Sequence, residues 1–396
     1  MDSASSAPRL RILPFLHSFG PGGVERVALR LAGAWADAGH DVRLLMGRRD
    51  GPETMLAPRS VLYDFSPPHP LARRFETLWM VRHLVAAVRR HRPDVLFCAG
   101  NTYTIVAALA RLILGSDCPP IVCKFSNSLD RRDLIAPLRM LHRLWLRLHP
   151  YFIDRFIALS EPMGEEAERL LGIPSHRVIV IPNPVLKNAD LKDLSGRRLA
   201  GGRGKGRRFV SVGRLTRQKN YSLLLRAFAR IAAPEDRLLI IGDGPQRKRL
   251  SRLAAKLGIA ELVDIPGHKA SVADLLKSAD VFVTSSNYEG LPGAVVEALA
   301  AGVPIVATES SSCLRHLLRF GELGQLVPIR DVEGLARALE GAPAREDIAI
   351  VKMQDVAAIH TIERSGDLFL SVLAGAVSGV SIGGKLTTFN PLAEAA

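Results

Sequence analysis

Glu289-Gly290-Leu291-Pro292-Gly293-Ala294-Val295-Val296-Glu297, running on as Ala298-Leu299-Ala300-Ala301-Gly302-Val303-Pro304-Ile305-Val306-Ala307, sets one carboxylate on a loop and a second eight positions later in the first turns of a helix. Ala294–Ala301 reads as that helix and Pro304–Thr308 as the strand that follows it. Both carboxylates can face one pocket. Carboxylates accept hydrogen bonds in pairs, which suits vicinal sugar hydroxyls, while the Gly290–Ala294 amides at the helix N-terminus suit phosphate oxygens. The plainer alternative gives Glu289 to the helix dipole and leaves Glu297 as a solvated helix residue.

Outward from this block the same alternation repeats. Arg208–Val212, Arg237–Ile241, Leu262–Ile265 and Val281–Thr284 read as strands, with helices at Tyr221–Ala232, Gln246–Leu257 and Ser271–Ser278. Upstream, the strands of a first series are Leu10–Phe15, Asp41–Met46, Asp94–Ala99, Ile121–Phe125, Phe156–Leu159 and Val178–Ile181, with helices at Val24–Ala38, Glu76–Arg92 and Thr104–Leu114. Such alternation predicts βα units and parallel sheets. Pro182-Asn183-Pro184 closes the first series, and Leu194–Arg208 (LSGRRLAGGRGKGRR) reads as a flexible basic linker. The expected organisation is a first domain over 1–185, a linker over 186–207, a second domain over 208–375 whose final helix can return to the first, and a flexible tail over 376–396. The fold class is α/β: two doubly wound Rossmann-like domains facing each other across a cleft, with ligands at the carboxyl ends of the strands.

The 396 residues carry 53 Lys+Arg against 39 Asp+Glu, a formal net charge of +14. That surplus sits in residues 1–250, with 41 basic and 22 acidic residues, whereas residues 251–396 have 12 and 17. An acidic partner is implied. Nucleic acid is disfavoured, because aromatic content is 6% and no zinc-finger, homeodomain or RNP-type pattern appears. Cys98, Cys118, Cys123 and Cys313 show neither a CxxC pair nor metal-ligand spacing, which fits buried thiols in a reducing compartment and no metal site. Met1–Gly20 lacks the apolar run of a leader, and no uncharged apolar stretch reaches about 18 residues, so a cytoplasmic location is expected.

Two further segments suit anions. Phe19-Gly20-Pro21-Gly22-Gly23 feeds a helix that opens at Val24-Glu25-Arg26, a turn whose free N–H groups can meet phosphate or simply close a βα unit. It is neither a GxGxxG nor a Walker A sequence, so a dehydrogenase is disfavoured. Val212-Gly213-Arg214-Leu215-Thr216-Arg217-Gln218-Lys219-Asn220 places Arg214 and Lys219 just past a strand end, where a fork of donors and a point charge can neutralise a diphosphate. Gly242-Asp243-Gly244-Pro245 is a turn with mainly a packing role.

Taken together, the E-x7-E block with its EGLP and ALAAGVPIVA flanks, the VGRL..QKN segment, the GDGP turn, the ADVFVTSS strand, the GGVERV turn and the IPNP segment resemble the family 4 retaining glycosyltransferases of the GT-B fold. The likeness spans roughly residues 10–340 and is most specific over 208–310. It implies that Glu297 holds the ribose hydroxyls of a nucleotide diphosphate sugar and Glu289 the donor sugar's hydroxyls. Arg214 and Lys219 would hold the diphosphate, with Gly290, Leu291, Pro292, Gly293 and Ala294 around it. His268, in Gly267-His268-Lys269, would flank the base, and Gly22 and Gly23 would approach the donor from the first domain. Retention of configuration is implied, with the leaving diphosphate taking the acceptor's proton and neither cofactor nor metal required. No DxD sequence stands in a metal-holding setting.

The first domain departs from the family pattern, since the loops after its fourth and fifth strands carry Asn101 and Asn127 where many relatives place a histidine. Asparagine can orient a hydroxyl but cannot take its proton, so Asn127 is the expected orienting group there. Arg131–Leu148 reads as a basic amphipathic helix in which Arg139, Arg143 and Arg147 recur beside Leu, Met and Trp145, a pattern of either an anionic membrane interface or an ordinary surface helix. A second basic cluster runs from Arg73-Arg74 to Arg89-Arg90-His91-Arg92. The expected function is transfer of a hexose-type sugar from a nucleotide sugar donor to a saccharide acceptor, lipid-linked and peripheral at the inner membrane face, in the synthesis of lipopolysaccharide or another cell-surface polysaccharide. A nucleotide-sugar epimerase of the same fold, or a non-catalytic membrane- or nucleic-acid-binding protein, is the alternative.

Overall fold

A computed structural model of the chain describes residues 9–20, 22–51, 54, 57–67, 75–131, 134–196, 206–269 and 271–380. Residues 197–205 of the expected linker, Arg73, Arg74, Arg132 and the tail from 381 lie outside the described residues. Two compact units are present. The first holds the described residues up to Asp130, Ile135–Pro184 and those from Ile362 onward; the second holds Arg131, Leu134 and Val185–Thr361. Within 186–207, Asn188–Leu194 is helical.

The first unit is built on a seven-stranded sheet of β1 (Arg11–Leu16), β2 (Asp41–Met46), β3 (Leu62–Phe65), β4 (Val95–Cys98), β5 (Ile121–Lys124), β6 (Arg155–Ala158) and β7 (Val178–Val180), in the order β3-β2-β1-β4-β5-β6-β7. Every neighbouring pair is parallel. The central strands are buried on both faces, which is why RILPFL, VLFC and IVCK read as nearly unbroken apolar runs. Trp35, on helix Gly23–Asp37, meets Phe97 of β4 edge-on at 5.1 Å, and Phe369 of the last helix, Ile362–Ser378, meets the same ring at 6.1 Å. That last helix therefore belongs to the core of the first unit.

The second unit has six parallel strands, β8 (Arg208–Val212), β9 (Arg237–Ile241), β10 (Val263–Gly267), β11 (Val281–Thr284), β12 (Ile305–Thr308) and β13 (Gln325–Val327), ordered β10-β9-β8-β11-β12-β13. Phe209 and Phe228 meet at 5.4 Å in its core with Leu224, Leu225, Ile240 and Leu335. In each sheet the strand order reverses beside the first strand, at β1/β4 and at β8/β11. Crevices for ligands open at those points, at the carboxyl ends of the strands.

Most expected elements appear within one or two residues of their bounds. The edge strands β3 and β13 carry no sequence signal of their own, being three or four residues long and mostly half-buried. Helix Glu161–Leu171 was also unmarked, although Ser160 caps it by accepting the Met163 N–H at 3.4 Å, Pro162 opens it and Gly172 (φ +72°) closes it. The expected basic helix begins at Ala136 rather than Arg131, because Pro137 in its first turn lacks an N–H and fixes φ there.

Two features of these sheets have measurable consequences. Gly213 (φ +158°) and Gly242 (φ +144°) pass so closely at the ends of β8 and β9 that a Cβ on Gly242 would overlap the Gly213 carbonyl. Gly242→Ala is expected to destabilise the second unit by about 2 kcal/mol, seen as a lowered urea midpoint. Lys124, at the end of β5, is 1% exposed, and burial pushes its ammonium down to about 8. The folded chain thus releases this proton near pH 8 and the unfolded chain only near 10.5, so the unfolded state holds more protons between those values. Stability should rise with pH through that window, by up to about 3 kcal/mol, the penalty being complete below pH 8. Urea midpoints at pH 7, 8.5 and 10 are expected to show this slope in the native chain and to lose it in Lys124→Met.

Candidate functional site

The loop leaving β8 is anchored by Leu215, which is fully buried; its N–H donates to Asp243 O at 2.9 Å and its carbonyl accepts Gln246 N–H at 3.0 Å. It ends at Asn220, held in the left-handed region (φ +45°), and helix Tyr221–Ile231 follows. The loop leaving β11 runs alongside and the two are laced together. Ser285 Oγ donates to Lys219 O at 2.9 Å and to Asn220 O at 3.2 Å, Asn287 N–H to Gln218 O at 2.8 Å, Asn220 Nδ2 to Asn287 Oδ1 at 3.0 Å and Gln218 Nε2 to Tyr288 O at 3.0 Å.

This lacing aims Lys219 at Glu289. Lys219 Nζ donates to Glu289 Oε1 at 2.6 Å, and Ser286 Oγ donates to the same oxygen at 2.6 Å. Glu289 is 6% exposed, and a buried carboxylate needs such partners, since leaving it unpaired would cost several kcal/mol. The loop's main chain is fixed from β12: Glu289 N–H donates to Ser310 O at 3.1 Å, Ser311 Oγ to Gly290 O at 2.7 Å and Thr308 Oγ1 to Ser286 O at 2.7 Å. Burial raises the Tyr221 phenol above its ordinary range. Helix Gly293–Ala300 then starts from Pro292 with no side-chain cap, so its N-terminal dipole end is not masked by a side chain.

The expected donor residues of the second unit occupy distinct settings. Lys219 and Glu289 form one ion pair, a link that their separation of 70 positions gave no way to read. Glu297 is buried at 9% exposure on helix Gly293–Ala300, so it is not a solvated helix residue. Gly290, Leu291, Pro292, Gly293 and Ala294 form the turn and head of that helix; a Cβ on Gly293 would come within 3.2 Å of Val185. Arg214 is exposed, with no side-chain partner among the described residues, and His268 is exposed just after β10, past Gly267 (φ +95°).

Gly22, Gly23 and Asn127 belong to the first unit. Gly22 is the N-cap of helix Gly23–Asp37, and the Glu25 carboxylate folds back onto it, held by Tyr103 OH at 3.0 Å. The His17 ring stacks on Tyr103 at 4.8 Å, and burial lowers its pKa. Asn127 lies on the loop after β5, where its carbonyl accepts Asn101 Nδ2 at 3.3 Å while Asn101 Oδ1 takes Ser126 N–H at 2.7 Å. Asn101 is therefore a brace for the loop. Lys124 donates to Asn183 Oδ1 at 3.3 Å, which joins the end of β5 to the IPNP segment. Ser285 and Ser286 close the ADVFVTSS segment with no role read for either, and Lys124 carried no motif; a lysine closing the apolar run IVCK was the one sign of a buried cation.

Two family models match the chain: Glycosyltransferase Family 4 over residues 21–186 and Glycosyl transferases group 1 over residues 200–347. The lipopolysaccharide core biosynthesis glycosyltransferase LpsE of Rhizobium meliloti (strain 1021) is 38% identical over 131 residues, 33% of this chain and only 38% of that relative's length. The phosphatidyl-myo-inositol mannosyltransferase of Mycolicibacterium smegmatis (strain ATCC 700084 / mc(2)155) is 28% identical over 336 residues, 81% of each chain. Among solved structures, Anabaena Alr3699/HepE in complex with UDP and glucose superposes with a TM-score of 0.64 at 19% identity, covering 98% of this chain and 99% of its own. That likeness concerns the fold. With both halves matched by their own family models and two doubly wound parallel sheets in sequence, the chain has the GT-B fold and belongs to the family 4 glycosyltransferases.

Proposed function

We propose that this protein transfers a sugar from a nucleoside diphosphate sugar to a saccharide acceptor in the synthesis of lipopolysaccharide or a related cell-surface polysaccharide. The observation that carries this reading is the pair of part-buried Lys219 and buried Glu289 beside the head of helix Gly293–Ala300. It sets a carboxylate for sugar hydroxyls, an ammonium for phosphate and helix amides for phosphate oxygens within one short stretch of a sheet's carboxyl edge. Glu289 Oε2 accepts donor-sugar hydroxyls, and Glu297 takes the ribose hydroxyls. Arg214, exposed and without a side-chain partner among the described residues, joins Lys219 on the diphosphate, and His268 lies beside the base. The names of the relatives, a lipopolysaccharide core enzyme and a phosphatidyl-myo-inositol mannosyltransferase, support a lipid-linked acceptor; the complex of HepE with UDP and glucose supports a UDP-type donor.

In this reading the anomeric C–O bond to the diphosphate breaks as the acceptor oxygen bonds to the same carbon on the same face. The acceptor's proton passes to the departing phosphate oxygen, so no side chain has to act as base. Catalysis is then electrostatic: Lys219, Arg214 and the helix dipole stabilise the charge that grows on the leaving diphosphate, and no metal is invoked.

A second reading concerns where the reaction occurs. Helix Ala136–Leu148 packs through Arg139, His142, Trp145 and Leu146, and Leu146 is its one buried residue. Met140 (72%), Leu141 (62%), Leu144 (60%) and Leu148 are exposed beside the exposed Arg143 and Arg147. Apolar and cationic stripes side by side suit the interface of an anionic bilayer, with the leucines among acyl chains and the arginines at headgroups. No helix of the described residues is long and apolar enough to cross a membrane, so the contact would be peripheral.

Binding of a panel of UDP-, GDP- and ADP-sugars, followed by acceptor-dependent nucleotide release, tests the transferase reading. Glu297→Gln is expected to weaken the bound donor by about 10- to 100-fold, the loss of a charged acceptor to two hydroxyls; unchanged affinity would remove Glu297 from the site. For the membrane, flotation with vesicles containing anionic lipid should recover the native chain at low salt and lose it with Leu141→Glu or Leu144→Glu. Equal flotation of all three would place the contact elsewhere.

A further inference from the structure

Glu289 is asked to bind sugar hydroxyls, yet one of its oxygens is already committed. Lys219 Nζ and Ser286 Oγ both end on Oε1 at 2.6 Å, and a carboxylate oxygen offers about two good acceptor directions, so Oε1 is saturated and Oε2 alone is left for a ligand. Ser286 is 1% exposed, its carbonyl is fixed by Thr308 Oγ1 at 2.7 Å, and the Thr284 hydroxyl lies 3.4 Å from its Oγ. The hydroxyl is thus held on a one-torsion side chain whose main chain is fixed two residues past β11, whereas Glu289 has three side-chain torsions. Lys219 alone would not fix the carboxylate, because an ammonium on a flexible stem can follow either oxygen.

We propose that Ser286 is a positioning residue that acts through Glu289: it locks Oε1 toward Lys219 and turns Oε2 outward, so that Glu289 presents one fixed oxygen to the donor sugar while Lys219 keeps its own reach to the phosphate. The inference rests on the transferase reading above. Lys219 keeps two N–H donors for phosphate while it holds Glu289, and the ammonium so bridges the two halves of the donor. Without the Ser286 hydroxyl the carboxylate rotates and Oε2 leaves the sugar-binding orientation, while the ammonium, which can follow either oxygen, keeps its reach to phosphate. The nucleotide half, held by Glu297, Arg214, Lys219 and the helix amides, is left in place. Ser286 therefore discriminates an intact donor from the spent nucleotide, and its removal should act on the first alone.

Calorimetric titration of the native chain, Ser286→Ala and Ser286→Thr with UDP-, GDP- and ADP-sugars, and with the matching nucleoside diphosphates, tests this. Ser286→Ala is expected to lose about 10- to 100-fold in affinity for the nucleotide sugar while its affinity for the nucleoside diphosphate stays within about threefold, and Ser286→Thr, which keeps the hydroxyl, should recover most of the loss. An equal loss for both ligands, or no loss for either, would overturn the proposal, since a merely structural serine cannot separate them. If Ser286→Ala does not fold, Ser286→Cys keeps the volume with a weak donor and reads the same ratio. A native chain that binds none of the nucleotide sugars overturns the transferase reading and this inference with it, whereas a native chain that binds them and an unaffected Ser286→Ala overturns the inference alone.

Discussion

A buried carboxylate has to be compensated, and the second unit is arranged around that requirement at Glu289. Its partners come from three strand ends. β8 supplies Lys219 through a loop that must finish in the left-handed turn at Asn220, β11 supplies Ser285 and Ser286, and β12 supplies Thr308 and the Ser310 carbonyl. Parallel strands in register bring their carboxyl ends to one edge, so residues far apart in the chain meet there without any strand bending. The close approach of Gly213 and Gly242 belongs to the same geometry, because two loops leaving neighbouring strands can cross only where neither carries a side chain.

The first unit solves a comparable problem with fewer partners. Lys124 is enclosed at the end of β5, where it donates to Asn183 Oδ1, and burial weakens its charge. Around the neighbouring strand ends, Tyr103 holds Glu25 against the N-terminus of helix Gly23–Asp37 and Asn101 braces the loop of Asn127. The polar groups of this edge are thus tied to one another, and its asparagines serve first as structural braces. On the outside of the unit, helix Ala136–Leu148 departs from the usual arrangement, with His142 bonded inward to Leu129 O and Leu141, Leu144 and Leu148 facing solvent. A surface helix that turns apolar side chains outward is poorly explained by packing alone.

Much of the fold was legible because parallel strands covered on both faces must be apolar at nearly every position: VFVT, IVAT, VLFC and IVCK could hardly be anything else. Caps and turns added boundaries, as with Pro292 before helix Gly293–Ala300. Of the four edge strands, β7 and β10 were legible and β3 and β13 were not. LYDF and QLV are short and only partly buried, and what makes them strands is a neighbour's hydrogen-bond ladder rather than any pattern of their own.

The candidate site divides along the same line. Residue types and spacing by themselves determined that Glu289, Glu297, Arg214 and Lys219 stand at strand ends and a helix head, because those positions follow from local periodicity. That Lys219 spends its charge on Glu289, that Ser286 shares the same oxygen, and that Lys124 is buried were decided by tertiary structure alone. Hydrogen bonds are made across space between chemically ordinary side chains, and serine or lysine in a sequence looks the same whether it faces water or a carboxylate. Periodicity records which face of an element is buried; it holds no record of which two strand ends become neighbours.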